Sequence, residues 1–296
     1  MSSIKSNGKL RGRKRYRCNL CLHQWVDKRG KKTDYKRYYL DWLHKRRTLA
    51  EIASILDISI PKLTKEFDAL EWAEGLIFPA SKEAINLLMD ASFFGREYGY
   101  FCAHDGSRII YYQEIKTESV KHLREALHEL VQAGYCFKSV TIDGRKGFYE
   151  NIRKTLGGVP IQMCIFHQKA IVRRYTGNNP KLRPAKDLKE LMEKLCNTEP
   201  EDFVAQFYAL AEQHKGFLNA KKGGRFTHGR TRSAYNSVQE NLHRLFTYKE
   251  FPEQNIPPTT NHLEGFFSHL KERINIHRGL KLHRKKKAIK AFLNSF

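Results

Sequence analysis

The class of this protein is narrowed first by what its sequence lacks. None of its 296 residues belong to an uninterrupted apolar run of 18, so no segment reads as a transmembrane helix. The N-terminus carries no apolar signal region. Cysteine is sparse: Cys102, Cys136, Cys164 and Cys196 are scattered, mostly inside apolar runs. That pattern suits reduced thiols of an intracellular protein and not a disulfide framework. No internal repeat is present. The largest shortfall is in acidic residues, 31 Asp and Glu against 54 Lys and Arg, a net charge of +23. Such an excess repels itself in a compact chain unless a polyanion offsets it. Nucleic acid is the favoured partner, because neutralising phosphates releases counterions. A basic ribosomal or membrane-surface protein is the blander alternative. With 41% hydrophobic and 29% charged residues, the chain has enough apolar surface for a folded core. Its length suggests about two domains.

Residues 1–33 form a short basic segment punctuated by glycine. Cys18 and Cys21 make a Cys-x-x-Cys pair, with His23 and Trp25 close behind. Two thiolates on a tight turn are half of a tetrahedral Zn²⁺ site. The segment therefore reads as a partial zinc ribbon, or as a basic strand-turn with two free thiols. Residues 34–80 read as helical. Tyr38, Tyr39, Trp42 and Leu43 fall at helical spacing. Thr48 followed by Glu51 predicts a capping box, and Leu49, Ile52, Ala53 and Leu56 give the next helix an apolar face. A break at Asp57, Ile58 and Ser59 leads to a further helix bearing Lys62 and Lys65. This predicts a helix-turn-helix-like DNA-binding region whose second helix enters the major groove. A plain helical hairpin is the alternative.

From 81 to 169 strands and helices alternate. Strands are predicted at Ala84–Asp90, Gly99–Ala103, Arg108–Ile115, Phe137–Ile142 and Pro160–Phe166, with a hairpin turn at Asp105 and Gly106. Helices are predicted at Glu118–Ala133 and Gly147–Leu156. Three hairpin-linked strands, then helix, strand, helix, strand, is the element order of a ribonuclease-H-like fold. The fold class is thus α/β, a mixed sheet flanked by helices. Residues 170–256 read as an all-α stretch broken by a basic loop over 221–232, with Lys221, Lys222, Arg225 and Arg230. Residues 257–296 hold one more helix and a densely cationic run containing Arg278, Arg284 and Lys285. Both basic stretches could position phosphates without reading sequence, or be solvated faces.

Two carboxylates stand out in this order. Asp90 ends the first strand and Asp143 ends the fourth, and those strands are expected side by side. Their close carboxylates would repel unless a cation neutralised them, and Mg²⁺ prefers such oxygen ligands. Each Asp alone would more often be a turn former or cap. Glu264, near the start of a helix after Pro257 and Pro258, supplies a third acid. It could equally complement the helix dipole or pair with a lysine.

Four segments carry a family resemblance. They are the strand residue Asp90, the run Ile142–Phe148 with Asp143, Gly144 and Gly147, the pair Cys164 and His167, and Thr259–Gly265 with Asn261 and Glu264. Together they resemble the bacterial relatives of Mutator-type transposases, nearest the insertion sequence 256 group, over about residues 84–280. The resemblance implies a ribonuclease-H-like core interrupted by an all-helical insertion before the Glu. It implies Mg²⁺, for which Mn²⁺ can substitute, held by Asp90, Asp143 and Glu264, with His167 as an accessory catalytic residue. It implies double-stranded DNA, both transposon ends and target, as substrate, and a homodimer or higher oligomer on that DNA. A bacterial cytoplasmic, nucleoid-associated location follows. A structure-selective nuclease without strand transfer, or a transposase-derived DNA-binding protein, are the alternatives. The chain departs from the family at the N-terminus, where a zinc ribbon would have a second cysteine pair.

Overall fold

The computed structural model describes residues 3–10, 13–26 and 33–295, in two compact units, Met1–Leu70 and Glu71–Phe296. Arg11 and Gly12 of the N-terminal basic run lie outside the described residues. In the first unit, β1 (Ile4–Leu10), β2 (Arg13–Cys18) and β3 (Gln24–Val26) form an antiparallel sheet in that order. Tyr16 and Trp25 face each other across β2 and β3 and stack at 6.1 Å. Three helices follow, α1 (Tyr35–His44), α2 (Leu49–Ile55) and α3 (Ile60–Asp68). Thr48 Oγ1 accepts the Glu51 N–H at 3.1 Å, and the Glu51 carboxylate accepts the Thr48 N–H at 2.8 Å. This capping box satisfies two donors that the helix start would otherwise orphan. Ser59 caps α3, and Pro61 sits in its first turn where no amide donor is needed. Leu43, Ile52 and Leu63 are fully buried between the helices. Tyr39 packs edge-on against Trp42 and Phe67 at 5.1 and 5.0 Å. Lys62 and Lys65 lie exposed on α3.

The second unit is built on a six-stranded mixed sheet. Its strands are β4 (Gly75–Leu76), β5 (Ile85–Phe94), β6 (Tyr98–His104), β7 (Ile109–Ile115), β8 (Phe137–Ile142) and β9 (Ile161–Met163), in the order β4-β7-β6-β5-β8-β9. The first three long strands are antiparallel neighbours, while β8 and β9 join parallel to β5. Parallel strands need crossovers, here α4 (Val120–Gln132) and α5 (Phe148–Leu156). The period-2 alternation divides β5 and β8 cleanly. Leu87, Met89, Val140 and Ile142 enter the main core with Leu123, Leu127, Phe148 and Ile152 of the crossover helices. Asn86, Leu88, Asp90, Ser139 and Thr141 alternate with them and take the opposite face. On that face Asn86 Nδ2 donates to the Gln254 carbonyl at 3.0 Å, and Thr141 Oγ1 donates to the Pro257 carbonyl at 2.7 Å.

Between the sheet and the last helices runs a helical region: α6 (Ile165–Thr176), α7 (Arg183–Glu193), α8 (Pro200–Gln213), α9 (Lys215–Asn219), α10 (Gly229–Asn241) and α11 (Thr247–Glu250). Leu188, Phe203, Phe207, Ala234 and Val238 tie it into the same core as the sheet. Two helices close the chain, α12 (Asn261–Ile276) and α13 (Leu282–Leu293).

Several sequence expectations change here. The boundary between units falls after Leu70, and Gly75–Leu76 pairs with Tyr111 and Tyr112 of the sheet. β5 does not stop at Asp90. Ser92, Phe93 and Phe94 pair with Tyr100, Gly99 and Tyr98, because the hairpin with β6 outlasts the parallel pairing with β8. β9 is only three residues long, and Ile165 and Phe166 belong to α6. The basic loop contains a hairpin, β10 (Lys221–Lys222) with β11 (Arg225–Phe226), turned by Gly223 and Gly224 at φ of 58° and 78°. The C-terminal cationic run is a docked helix. Ala288, Ile289, Phe292 and Leu293 are fully buried, and Lys286 and Lys290 are paired with Glu114 and Glu74. Burying Ile289 and Phe292 is worth about 1.5–3 kcal/mol each.

Candidate active site

The pairing of β5 and β8 sets the level of two acids. Leu88 is the register partner of Thr141. Asp90 and Asp143 each follow two residues later, on the same face as those partners, with neighbouring strands about 4.8 Å apart. Asp143 leaves the strand into a turn with glycine at two crowded or left-handed positions. At Gly144 a Cβ would sit 2.7 Å from Met163 Cε and 3.1 Å from Asn241 Nδ2. At Gly147 the backbone is left-handed, φ 85°, and starts α5. The turn thus lies hard against β9, and the Arg145 N–H donates to Asp143 Oδ1 at 3.2 Å.

Glu264 reaches the same region because the start of α12 is stitched to the sheet and to α6. The Ile165 N–H donates to the Pro258 carbonyl at 3.0 Å. The Thr260 N–H donates to Cys164 Sγ at 3.3 Å, and Thr260 Oγ1 contacts the same sulfur at 3.3 Å. The Thr260 carbonyl then accepts the Glu264 N–H at 3.0 Å, so the acid lies one turn into the helix. Cys164 is the N-cap of α6, and His167 follows on its first turn. Asn241 Nδ2 donates to the buried Gln168 Oε1 at 2.9 Å, which fixes α6 against α10.

The electrostatics tie these side chains together. Burial pushes the Asp90 carboxyl from 3.8 up to about 6, and the charges of Asp143 and Glu264 push the same way. The His167 cation and the Ala91 N–H partly offset this. Burial also raises Glu264, against the pull of His167. Burial works against the His167 cation, yet the neighbouring Cys164 thiol, Asp90 and Asp143 outweigh it and lift His167 to about 9. Burial would raise the Cys164 thiol, but His167 and Thr260 hold it below its ordinary range. His167 Nδ1 and Glu264 Oε1 are buried without a hydrogen-bond partner. Asp90, Asp143, Glu264 and His167 are therefore brought within electrostatic reach of one another around Asp90.

A fourth acid, Glu118, belongs to this cluster, and the sequence patterns above do not single it out. It is buried, and burial followed by repulsion from Asp143 pushes its carboxyl up to about 7. Arg145 answers it twice, with a 2.9 Å ion pair and a 2.9 Å bond to the Glu118 carbonyl. Its sequence signal is faint, because an acid just ahead of a helix normally serves the helix dipole. As the side chains stand, the carboxylate oxygens of Asp90, Asp143 and Glu264 are not all within 4.8 Å of one another. Among the described residues, the group of three metal-capable side chains whose ligand atoms lie within 4.8 Å of one another is Cys164, His167 and Glu264.

The basic residues named from sequence fall in three places. Lys62 and Lys65 are on the first unit. Lys221, Lys222, Arg225 and Arg230 are exposed on the hairpin and the start of α10, where Lys221 lies over Phe226 at 4.7 Å. Arg278 is exposed between α12 and α13, while Arg284 and Lys285 are half-buried on α13. Beside His167 on α6, Phe166, Lys169 and Arg173 join Lys189 and Met192 around a cavity of about 220 Å³. Cys18 and Cys21 face one turn, and the N–H groups of Cys21 and Leu20 hold the Cys18 thiol below its ordinary range.

No protein-family profile matches the chain, and no curated protein matches it in sequence. Among solved structures, it is similar to the Drosophila P element transposase strand transfer complex, with a TM-score of 0.49, 8% identity, and coverage of 89% of this chain and 92% of that one. It also resembles a simian T-cell lymphotropic virus intasome in complex with PP2A regulatory subunit B56 gamma, with a TM-score of 0.22, 11% identity, and coverage of 66% and 73%.

Proposed function

We propose that the chain is a DDE-type DNA transposase that cleaves transposon ends and transfers the freed strand into target DNA. The observation that carries this is the level placement of Asp90 and Asp143 at adjacent parallel strands, beneath the helix that brings in Glu264. The net charge of +23 supports a polyanionic substrate. Asp90, Asp143 and Glu264 would hold Mg²⁺ or Mn²⁺. Bound there, the ions would neutralise charge at the reacting phosphoryl group and favour deprotonation of the attacking hydroxyl. The protein's own groups do the rest. His167 keeps its proton through neutral pH and offers an N–H to a phosphate oxygen. Arg145, its half-exposed guanidinium anchored by Glu118, holds Asp143 Oδ1 through its backbone N–H. Burial of Asp90 keeps bulk water from competing for its carboxylate. Lys62, Lys65 and the hairpin residues Lys221, Lys222 and Arg225 would bind duplex backbone, and work on two ends calls for a dimer or larger assembly.

The test uses a supercoiled plasmid carrying the DNA that flanks the coding sequence. With Mg²⁺, the wild-type chain should nick and join strands. Asp143→Asn should lose both by at least about 10³-fold while DNA affinity stays within about twofold, since the lost group acts on the transition state. Cleavage by Asp143→Asn at the wild-type rate would overturn the assignment. Cutting without joining would indicate a structure-selective nuclease, and binding alone a transposase-derived DNA-binding protein.

A further inference from the structure

We propose that Cys164, His167 and Glu264 form a Zn²⁺ site that competes with the oxygen-ligand set for Glu264. The consequence for Glu264 rests on the function proposed above; the zinc site does not.

Three independent observations meet at this point. The first is proximity. A thiol, an imidazole nitrogen and a carboxylate oxygen lie mutually within 4.8 Å. Ligand atoms around tetrahedral zinc are roughly 3.5 Å apart, so the set must close by about an ångström to hold the ion. The second is unmet hydrogen bonding. His167 Nδ1 and Glu264 Oε1 are both buried with no partner, a state that buried polar atoms rarely keep. One cation would satisfy both, displacing the proton that His167 carries when the site is empty. The third is fixation of the sulfur. Cys164 Sγ is fully buried and held by the Thr260 N–H and hydroxyl, each at 3.3 Å. Those contacts orient it as outer groups orient metal ligands elsewhere.

The donor types choose the metal. Sulfur, nitrogen and oxygen together suit Zn²⁺ and its spectroscopic substitute Co²⁺, whereas Mg²⁺ avoids thiolate. The spacing explains why the helix start was used. Cys164 and His167 are three residues apart across the first turn of α6 and so share a face. Glu264 completes the set from α12. Zinc held there would compete with the carboxylate set of Asp90 and Asp143 for Glu264.

The experiment is a Co²⁺ titration of the full chain carrying Cys18→Ser and Cys21→Ser, which removes the N-terminal thiol pair from the signal. Cobalt should bind with a near-ultraviolet thiolate-to-cobalt absorption that Zn²⁺ abolishes by displacement. Adding Cys164→Ser should remove the absorption. Glu264→Gln, at a half-buried position that tolerates the change, should weaken cobalt affinity at least about tenfold, and it carries the test if Cys164→Ser does not fold. No thiolate absorption in the chain lacking Cys18 and Cys21 would overturn the proposal. So would an absorption that survives Cys164→Ser, or an affinity indifferent to Glu264→Gln. None of these readouts requires DNA cleavage, so a chain that binds cobalt but never cuts DNA would refute the transposase assignment alone.

Discussion

Replacing Asp90 by Asn should stabilise the metal-free protein while removing its activity. Asp90 is held in the fold with its carboxyl raised from 3.8 to about 6. At about 1.36 kcal/mol per tenfold change in proton affinity, ionised Asp90 costs the native state about 3 kcal/mol. Burial is the main cause. Asp143 beside it, Glu264 from α12 and Glu118 before α4 add repulsion, and His167 from α6 removes part of it. The sign follows from proton binding. Between pH 3.8 and about 6 the folded chain holds a proton that the unfolded chain has released, so stability from this group falls as pH rises. Asn lacks the charge at every pH and can keep the acceptor for the Ala91 N–H. The variant's advantage should therefore be about 3 kcal/mol at pH 7.5, about half that at pH 5, and near zero at pH 3. Urea unfolding in EDTA, with midpoints and slopes compared at the three pH values, measures it. Mg²⁺ should then narrow the gap at pH 7.5, because only the wild-type site gains from binding. A variant less stable than wild type at pH 7.5, or an advantage independent of pH, would refute the account of Asp90 as a buried, strained charge.

Glu118→Gln should behave with the same sign in a higher window. The Glu118 carboxyl rises from 4.5 to about 7, so the variant's relative stability should grow as pH climbs through that range; a flat difference between pH 5 and pH 7.5 would contradict it. The exposed pair Lys62 and Lys65 should matter for affinity and not for folding. Lys62→Ala with Lys65→Ala should reduce the slope of log affinity against log salt by roughly 1.8, about 0.9 for each phosphate that is no longer neutralised. An unchanged slope would take α3 off the DNA.

The parts of the site that are legible in the sequence are those set by strand order. Asp90 and Asp143 end up level because three hairpin-linked strands followed by a crossover put β8 beside β5, and element order alone carries that information. The glycines of the Ile142–Phe148 run are visible as a pattern, but their reason is not. Gly144 is crowded by the side-chain ends of Met163 and Asn241, the second of which arrives 97 positions later in the chain. The extent of β5 past Asp90 is hidden for the same kind of reason. Phe93 and Phe94 extend the strand only because Tyr98 and Gly99 are there to pair with them.

The remaining differences trace to local ambiguity that tertiary packing resolves. The apolar run Ile161–Phe166 is too short for periodicity to separate strand from helix start, and the contacts of Ile165 with Pro258 and Cys164 with Thr260 decide it. That decision moves Cys164 from a strand interior to a helix cap, three residues from His167, and so creates the sulfur–nitrogen–oxygen group with Glu264. Glu118 shows the same logic with opposite weight. A carboxylate ahead of a helix satisfies a generic rule so well that nothing local distinguishes it from one drawn inward by Arg145. In the C-terminal run, lysines dominate the composition, yet Ala288, Ile289 and Phe292 at helical spacing determine where it lies. A few apolar residues in register outweigh the many charges because each buried side chain is worth about 1.5–3 kcal/mol, whereas an exposed ion pair is worth less than about 1. The charge then decides what the surface binds, and the apolar residues decide which charges reach it.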